Sequence, residues 1–177
     1  MKNSTDKVIL RSHGLTLVSF KPWHCLEMGL NMSEASIREL DVVHGLAPAG
    51  ALNSVLGHPF VFAVKRGKEA VAVLGLTDQG DGTVKLWTLF SKSIEENFLR
   101  LVRASPALMK FIHTTAEEIE IDVWSHSSMI QNWLVLIGFM PIDSFDGGNG
   151  QTIIRFVRCN QKDFLAYPEN TQRPVMH

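Results

Sequence analysis

GTVKLWTLFSKSIEENFLRLVRASPALMKFIHTTAEEIEIDVWSHSSMIQNWLVLIGF, running from Gly82 to Phe139, is the stretch that decides the fold. Val84 to Phe90 has strand composition. Ser93 can cap a helix from Ile94 in which Phe98, Leu99, Leu101 and Val102 carry the chain into a core, and Ser105-Pro106 is expected to break or kink that helix before Phe111 and Ile112. Ile119 to Trp124 alternates, with Ile119, Ile121 and Val123 on one face. Ser127 to Ile137 then reads as a second helix, ended by Gly138. The connecting loop, Phe90-Ser91-Lys92-Ser93-Ile94-Glu95-Glu96, contains no glycine.

Upstream, Phe60 to Lys65 and Ala70 to Leu76 are strand-like runs joined by Arg66-Gly67-Lys68-Glu69, and Asp78 to Gly82 forms the turn into the third strand. Three antiparallel strands in succession are expected. Leu15 to Phe20 is a first strand, and Pro22 opens a helix in which Trp23, Leu26 and Leu30 fall on one face and are expected to be its apolar side. Ser33 can cap another helix in which Ile37, Leu40 and His44 share a face before Gly45 stops it, and a short helix can follow Pro48. Downstream, Met140 to Asp143 and Thr152 to Val157 form a closing hairpin.

At 177 residues and 45% hydrophobic, the chain has enough apolar material for one core, so a single domain over residues 1–158 is expected, with residues 159–177 as a polar tail. The 17 basic and 18 acidic residues leave a formal charge of −1 and form no run, which disfavours nucleic acid as a specific partner. Cys25 and Cys159 have neither metal-ligand nor disulfide-framework spacing. A reduced intracellular setting follows as the expectation, with no metal. No signal-peptide pattern and no apolar run of membrane-spanning length is present, so no membrane partner is expected.

The element order, together with Ile119-Glu120-Ile121-Asp122-Val123-Trp124, the polar Ser125-His126-Ser127 turn and Leu136-Ile137-Gly138-Phe139, resembles the GCN5-related N-acetyltransferase family. The resemblance implies an α+β fold, with a central mixed, mostly antiparallel sheet flanked by helices and closed by a C-terminal hairpin. It also implies that the strand corresponding to Val84–Phe90 splays from the next one. Acyl-CoA lies in that gap in the family, with its pyrophosphate on a Gly-rich loop at the start of the following helix, where bare amides bind an anion. Here Ser91, Lys92, Ser93 and Ile94 occupy the loop. Glu95 and Glu96 would satisfy the helix dipole themselves and repel a pyrophosphate. The tyrosine with which the family often protonates the leaving thiolate corresponds to Leu134, and the indole of Trp133 cannot act as an acid.

A second resemblance, within the same scaffold, is to the acetyltransferase-like internal virion proteins of short-tailed podoviruses. Its motifs are Val123-Trp124, the polar turn with Ser128, Ile137-Gly138, the glycine-free loop and Lys21-Pro22-Trp23-His24. It implies a particle or assembly protein of the virion's head interior or portal end, present in host cytoplasm during assembly, with other virion proteins as partners.

His126, in the turn beside the expected acyl cleft, could serve as a general base, although an exposed loop histidine is the favoured reading. Trp87 and Thr88 hold the strand position where a bulge would offer an amide to a thioester carbonyl, although Trp87 is favoured as a packing residue. Glu117, Glu118, Glu120 and Asp122 are expected to form a solvated acidic edge. Cys25 beside His24 is expected to be a buried thiol rather than a nucleophile, because neighbouring helical residues point about 100° apart. Two functions follow as expectations: a degenerate acetyltransferase fold that works by protein contact without a cofactor, or an N-acetyltransferase that uses acetyl-CoA.

Overall fold

The computed structural model describes residues 6–148 and 150–160, with only the backbone at Glu95. Eight strands form one sheet: β1 (Val8–Ser12), β2 (Leu15–Ser19), β3 (Val61–Arg66), β4 (Glu69–Gly80), β5 (Thr83–Phe90), β6 (Glu118–Trp124), β7 (Met140–Asp146) and β8 (Thr152–Cys159). Their spatial order is β1-β2-β3-β4-β5-β6-β8-β7, antiparallel throughout except for the parallel pair β5-β6. The crossover between those parallel strands is α4 (Ile94–Ile112), as parallel neighbours require. The α+β fold with a mostly antiparallel sheet and a C-terminal hairpin is therefore present.

Two apolar cores lie on the two faces of the sheet. One is built where α4 and α5 (Ser128–Leu136) cover Leu74, Leu86, Phe90, Ile119, Ile121 and Val123. The other lies under α1 (Pro22–Asn31), α2 (Glu34–Glu39) and α3 (Pro48–Ser54), and includes Val18, Met28, Leu52, Val73 and Leu89. Alternation along β6 sorts its side chains as read from the sequence, with Ile119, Ile121 and Val123 buried. Trp133 on α5 seals the larger core. Its ring meets Phe90 edge-on at 5.9 Å, and its Nε1 donates to Ser105 Oγ on α4 at 2.9 Å.

Several expectations are corrected. An additional strand, β1, precedes Leu15, joined to β2 by His13 and Gly14, both at positive φ. That is the backbone of a tight two-residue hairpin turn. Pro106 does not break α4, which runs unbroken from Ile94 to Ile112. Leu101 and Ala104 before the proline and Leu108, Met109 and Ile112 after it all pack in the same core, so tertiary contacts on both sides hold the helix through the lost hydrogen bond.

The α1 stripe of Trp23, Leu26 and Leu30 faces outward, not inward. Polar bonds set the helix rotation: the Lys21 amide donates to His24 Nδ1 at 3.2 Å, and Glu27 Oε1 accepts from the Ala70 amide at 2.8 Å. Those contacts turn His24 and Met28 to the sheet. In α2, Ser33 Oγ accepts from the Ser36 amide as the capping signal predicts. The next five residues, Leu40–His44, form a π-helical turn, and the extra residue per turn leaves Leu40 buried but Ile37 and His44 exposed. Gly45 ends it in the left-handed region, with φ 62°.

The hairpin is longer than its sequence signal, with β8 reaching Cys159. Of the tail, residues 161–177 lie outside the described residues. No described helix is long and apolar enough to cross a membrane.

Candidate functional site: a splayed strand pair bridged by a helix

Strands β5 and β6 pair only over Thr83–Lys85 and Glu118–Glu120. Beyond that point they diverge, so the backbone edges of Thr88 to Phe90 and of Ile121 to Trp124 face a gap. In an apolar interior such groups need partners.

The partners come from α2 and the turn before it. On β5, the Phe90 amide donates to Ser36 Oγ at 2.8 Å, and the Phe90 carbonyl accepts from the Ser33 amide at 2.9 Å. On β6, the Trp124 amide donates to Glu39 Oε1 at 2.7 Å, while Ser127 Oγ donates to Glu39 Oε2. One short helix thus hydrogen-bonds both arms of the splay. Burial pushes the Glu39 carboxyl above its ordinary range, and the two bonds it accepts only partly oppose that.

The loop at the start of α4 is equally occupied. The Ser91 amide donates to Val71 O at 3.0 Å, the Lys92 amide to Asn31 O at 2.7 Å and the Ile94 amide to Ser91 O at 3.1 Å. Ser93 Oγ meets Ser91 Oγ at 2.9 Å and donates to Glu69 Oε1 at 2.5 Å. Asn97 Nδ2 caps the Ser93 carbonyl, leaving its buried Oδ1 without a partner among the described residues. An acceptor beside the loop has the wrong polarity for a phosphate. Glu96 is exposed, and the side chain of Glu95 lies outside the described residues.

On the α1–α3 face, the divergence opens into a cleft of about 330 Å³. Leu40, Ala51, Val55 and Leu89 give it apolar walls, and Glu39, His44, Lys85, Trp87 and Asp122 also line it. Trp87 lies against Gly75, its partner across β4 and β5.

Asp122 is not the solvated residue that alternation suggested. Its side chain is only 6% exposed. Lys85 Nζ lies 2.5 Å from Oδ2, and Arg155 reaches it through Nε at 2.8 Å and a second guanidinium nitrogen at 3.2 Å. Burial works to raise the Asp122 pKa, but the bonds from Arg155 and Lys85 outweigh it and hold the carboxyl below its usual range. β8 inserts between β6 and β7, so the acidic face of β6 lies beside Arg155 rather than at an edge.

The structure separates the remaining candidates. His126 is exposed, with Nδ1 3.2 Å from Ser125 Oγ and its ring 4.9 Å from Trp124, and it is not among the residues lining the cleft. Leu134 is fully buried. His24 is buried as well, and with Nδ1 accepting from Lys21 its Nε2 faces Asp6 at 3.4 Å. Cys25 instead approaches Asn53 Oδ1 at 3.8 Å, with its thiol pKa raised by burial. No group of three metal-ligating side chains occurs among the described residues. Glu39 and Ser36 were missed because neither belongs to a chemical motif and their partners lie 85 and 54 residues away.

An eight-stranded mixed sheet, splayed at its one parallel pair and crossed by a helix that begins at the mouth of the splay, decides the architecture. The fold is that of the GCN5-related N-acetyltransferases. AAC(6')-Ib in complex with ribostamycin and coenzyme A superposes with a TM-score of 0.66 at 10% identity, over 89% of this chain and 99% of that one. The acetyltransferase (GNAT family) from Bacillus anthracis gives 0.65 at 13% identity, over 87% and 97%. The GNAT domain of S. lividans PAT gives 0.63 at 13% identity, over 88% and 97%. No protein-family model matches the sequence, and no curated protein sequence is similar to it. At these identities the likeness establishes the GNAT fold and leaves the chemistry to be argued from the residues.

Proposed function

We propose that this chain uses the GNAT fold for protein contact rather than acyl transfer, as a component of a phage particle. The observation that carries the first half is the bridge of Ser33, Ser36 and Glu39 across β5 and β6, in the gap where the fold's acyl-CoA arm would lie. The loop adds support, since its Ser91, Lys92 and Ile94 amides already have acceptors within the chain. As folded, gap and loop do not fit acyl-CoA, and Leu134 supplies no acid to a leaving thiolate.

The placement in a virion, with internal core or portal proteins as partners, is supported by the short motifs at Lys21–His24, Val123–Trp124 and Ile137–Gly138. The solved structures named above are acetyltransferases and do not bear on it. Calorimetric titration with acetyl-CoA tests the first half: no heat of binding up to millimolar ligand is expected, and micromolar binding overturns it. Mass spectrometry of particles purified from lysates of the source culture tests the second, which fails if the chain is absent from them.

A working N-acetyltransferase is the second reading. The divergence of β5 from β6 and the cleft beside Trp87 favour it. Micromolar acetyl-CoA binding would select it.

A further inference from the structure

α1 lines no part of the cleft, yet it carries an apolar ridge in solvent. Trp23 is 43% exposed, Leu26 67% and Leu30 71%. A turn of 3.6 residues puts the three within about 60° of one another, on the side away from buried His24 and Met28. Trp23 is not a loose surface ring. Its Nε1 donates to Asp6 Oδ1 at 3.2 Å, and Lys65 Nζ holds the other oxygen of Asp6 at 2.5 Å. The one polar group of the indole is thus satisfied and the ring is held in place, an anchor already ordered before any partner arrives.

The residues of the ridge decide what can cover it. Pro22–Asn31 contains no lysine or arginine, so the helix lacks the cationic face by which amphipathic helices lie on anionic lipid. Its one carboxylate, Glu27, is bonded to the Ala70 amide. The ridge is instead matched to itself. Leu26 stands between Trp23 and Leu30, so a two-fold axis passing beside Leu26 sets it against its own copy, and sets Trp23 against the second copy's Leu30. The two helices then run antiparallel, with their dipoles favourably opposed. The same rotation brings Lys21, at the start of α1, to the far end of the other α1, where Glu34 opens the next helix. Among the described residues, neither Lys21 nor Glu34 has an ion-pair partner within the chain, so opposite charges are free to meet at both ends of the ridge.

We propose that the α1 ridge is the contact surface for a second copy of this chain, in an antiparallel, two-fold pairing of α1 with α1 centred on Leu26. Three side chains supply less than the roughly 800 Å² per partner of a standard interface, so the pair is weak and reversible, with a Kd of about 1–100 μM. The inference is independent of whether the cleft or the gap takes a cofactor.

The experiment is sedimentation equilibrium of the full chain from 1 μM to 1 mM under reducing conditions, for the native protein, Leu26→Asp, Lys21→Glu, Glu34→Lys and the exchange Lys21→Glu/Glu34→Lys. A reversible dimer is expected for the native protein. Leu26→Asp should weaken it at least about 100-fold, since a symmetric interface counts each change twice. Each single charge reversal should weaken it about 3–10-fold, and the exchange should restore the native Kd to within about 2-fold. Leu26 is exposed enough to take a charge without loss of fold, which circular dichroism checks, and if that variant is unfolded, Leu30→Glu decides in its place. A native protein that stays monomeric to 1 mM overturns the proposal, leaving the ridge to a different partner or to another segment of the chain. A dimer that is indifferent to charge at Leu26 or Leu30 overturns it too, and so does an exchange variant no stronger than the single reversals.

Discussion

Replacing Gly75 by alanine should destabilise the protein only while Trp87 is present. A Cβ added at Gly75 would stand 2.1 Å from Trp87 Cζ2 and 2.2 Å from Cε2, so the indole must move by more than about 1 Å to reach ordinary contact. Gly75 is buried in β4, and the ring is rigid, so the strain has no flexible end to relieve it. Overpacking of this kind costs about 1–3 kcal/mol. For a chain of this length, a cost near 2 kcal/mol lowers Tm by about 4–8 °C. Trp87→Ala alone removes a half-buried aromatic and costs about 2 kcal/mol, roughly half the loss expected for a fully buried one. In that background the clash is gone, and alanine replaces a residue that is poorly suited to a strand interior, so Gly75→Ala should stabilise by about 0.5–1 kcal/mol. The sign of the Gly75→Ala effect therefore reverses. Urea unfolding of the four proteins in the cycle measures a coupling of about 2.5–3 kcal/mol. Additive effects would refute the assignment of Trp87 as a packing residue laid on Gly75.

Other outcomes follow from the same contacts. Trp133→Phe keeps the ring against Phe90 but loses the Nε1 bond to Ser105, and should cost about 1–2 kcal/mol, against about 3–5 for Trp133→Ala, as read by thermal melts. Asp122→Asn leaves Lys85 without its carboxylate partner and Arg155 with only Glu120, 3.9 Å away, as a counter-charge. Both cations are about 30% exposed and can rehydrate in part, so the loss should be about 1–3 kcal/mol rather than that of a fully buried pair. Stability should fall with acid in two stages. Burial depresses the pKa of His24 and His113 in the folded state, so the unfolded chain binds more protons and stability declines as pH drops below about 6.5. Asp122, held low by Arg155 and Lys85, contributes stability above the usual carboxylate pKa, and that contribution is lost as pH falls through its folded value. Urea midpoints measured from pH 8 to 3 check both stages, and a flat profile between pH 7 and 5 contradicts the first.

The fold was legible wherever one periodicity had one possible partner. Ile119, Ile121 and Val123 could face only a core, and Gly138 could only end α5. The rotation of α1 was not legible. Trp23, Leu26 and Leu30 form the better apolar stripe, yet the bonds of His24 to the Lys21 amide and of Glu27 to the Ala70 amide outrank it, and the second spans 43 residues. Likewise, no local pattern reveals that β8 would slide between β6 and β7 and place Arg155 on Asp122. The site was half legible. The glycine-free loop and Leu134 can be read from the chain directly. What occupies the gap instead depends on Ser36 and Glu39 meeting strands far along the chain, which is a tertiary outcome.

The most direct measurement is an amide NMR titration of the native protein with acetyl-CoA, following Phe90, Ser91, Lys92, Ile94 and Trp124. With those amides already bonded within the chain, their resonances should stay in place up to millimolar ligand. Saturable micromolar shifts centred on these residues would contradict the account, showing that loop and gap open to a cofactor.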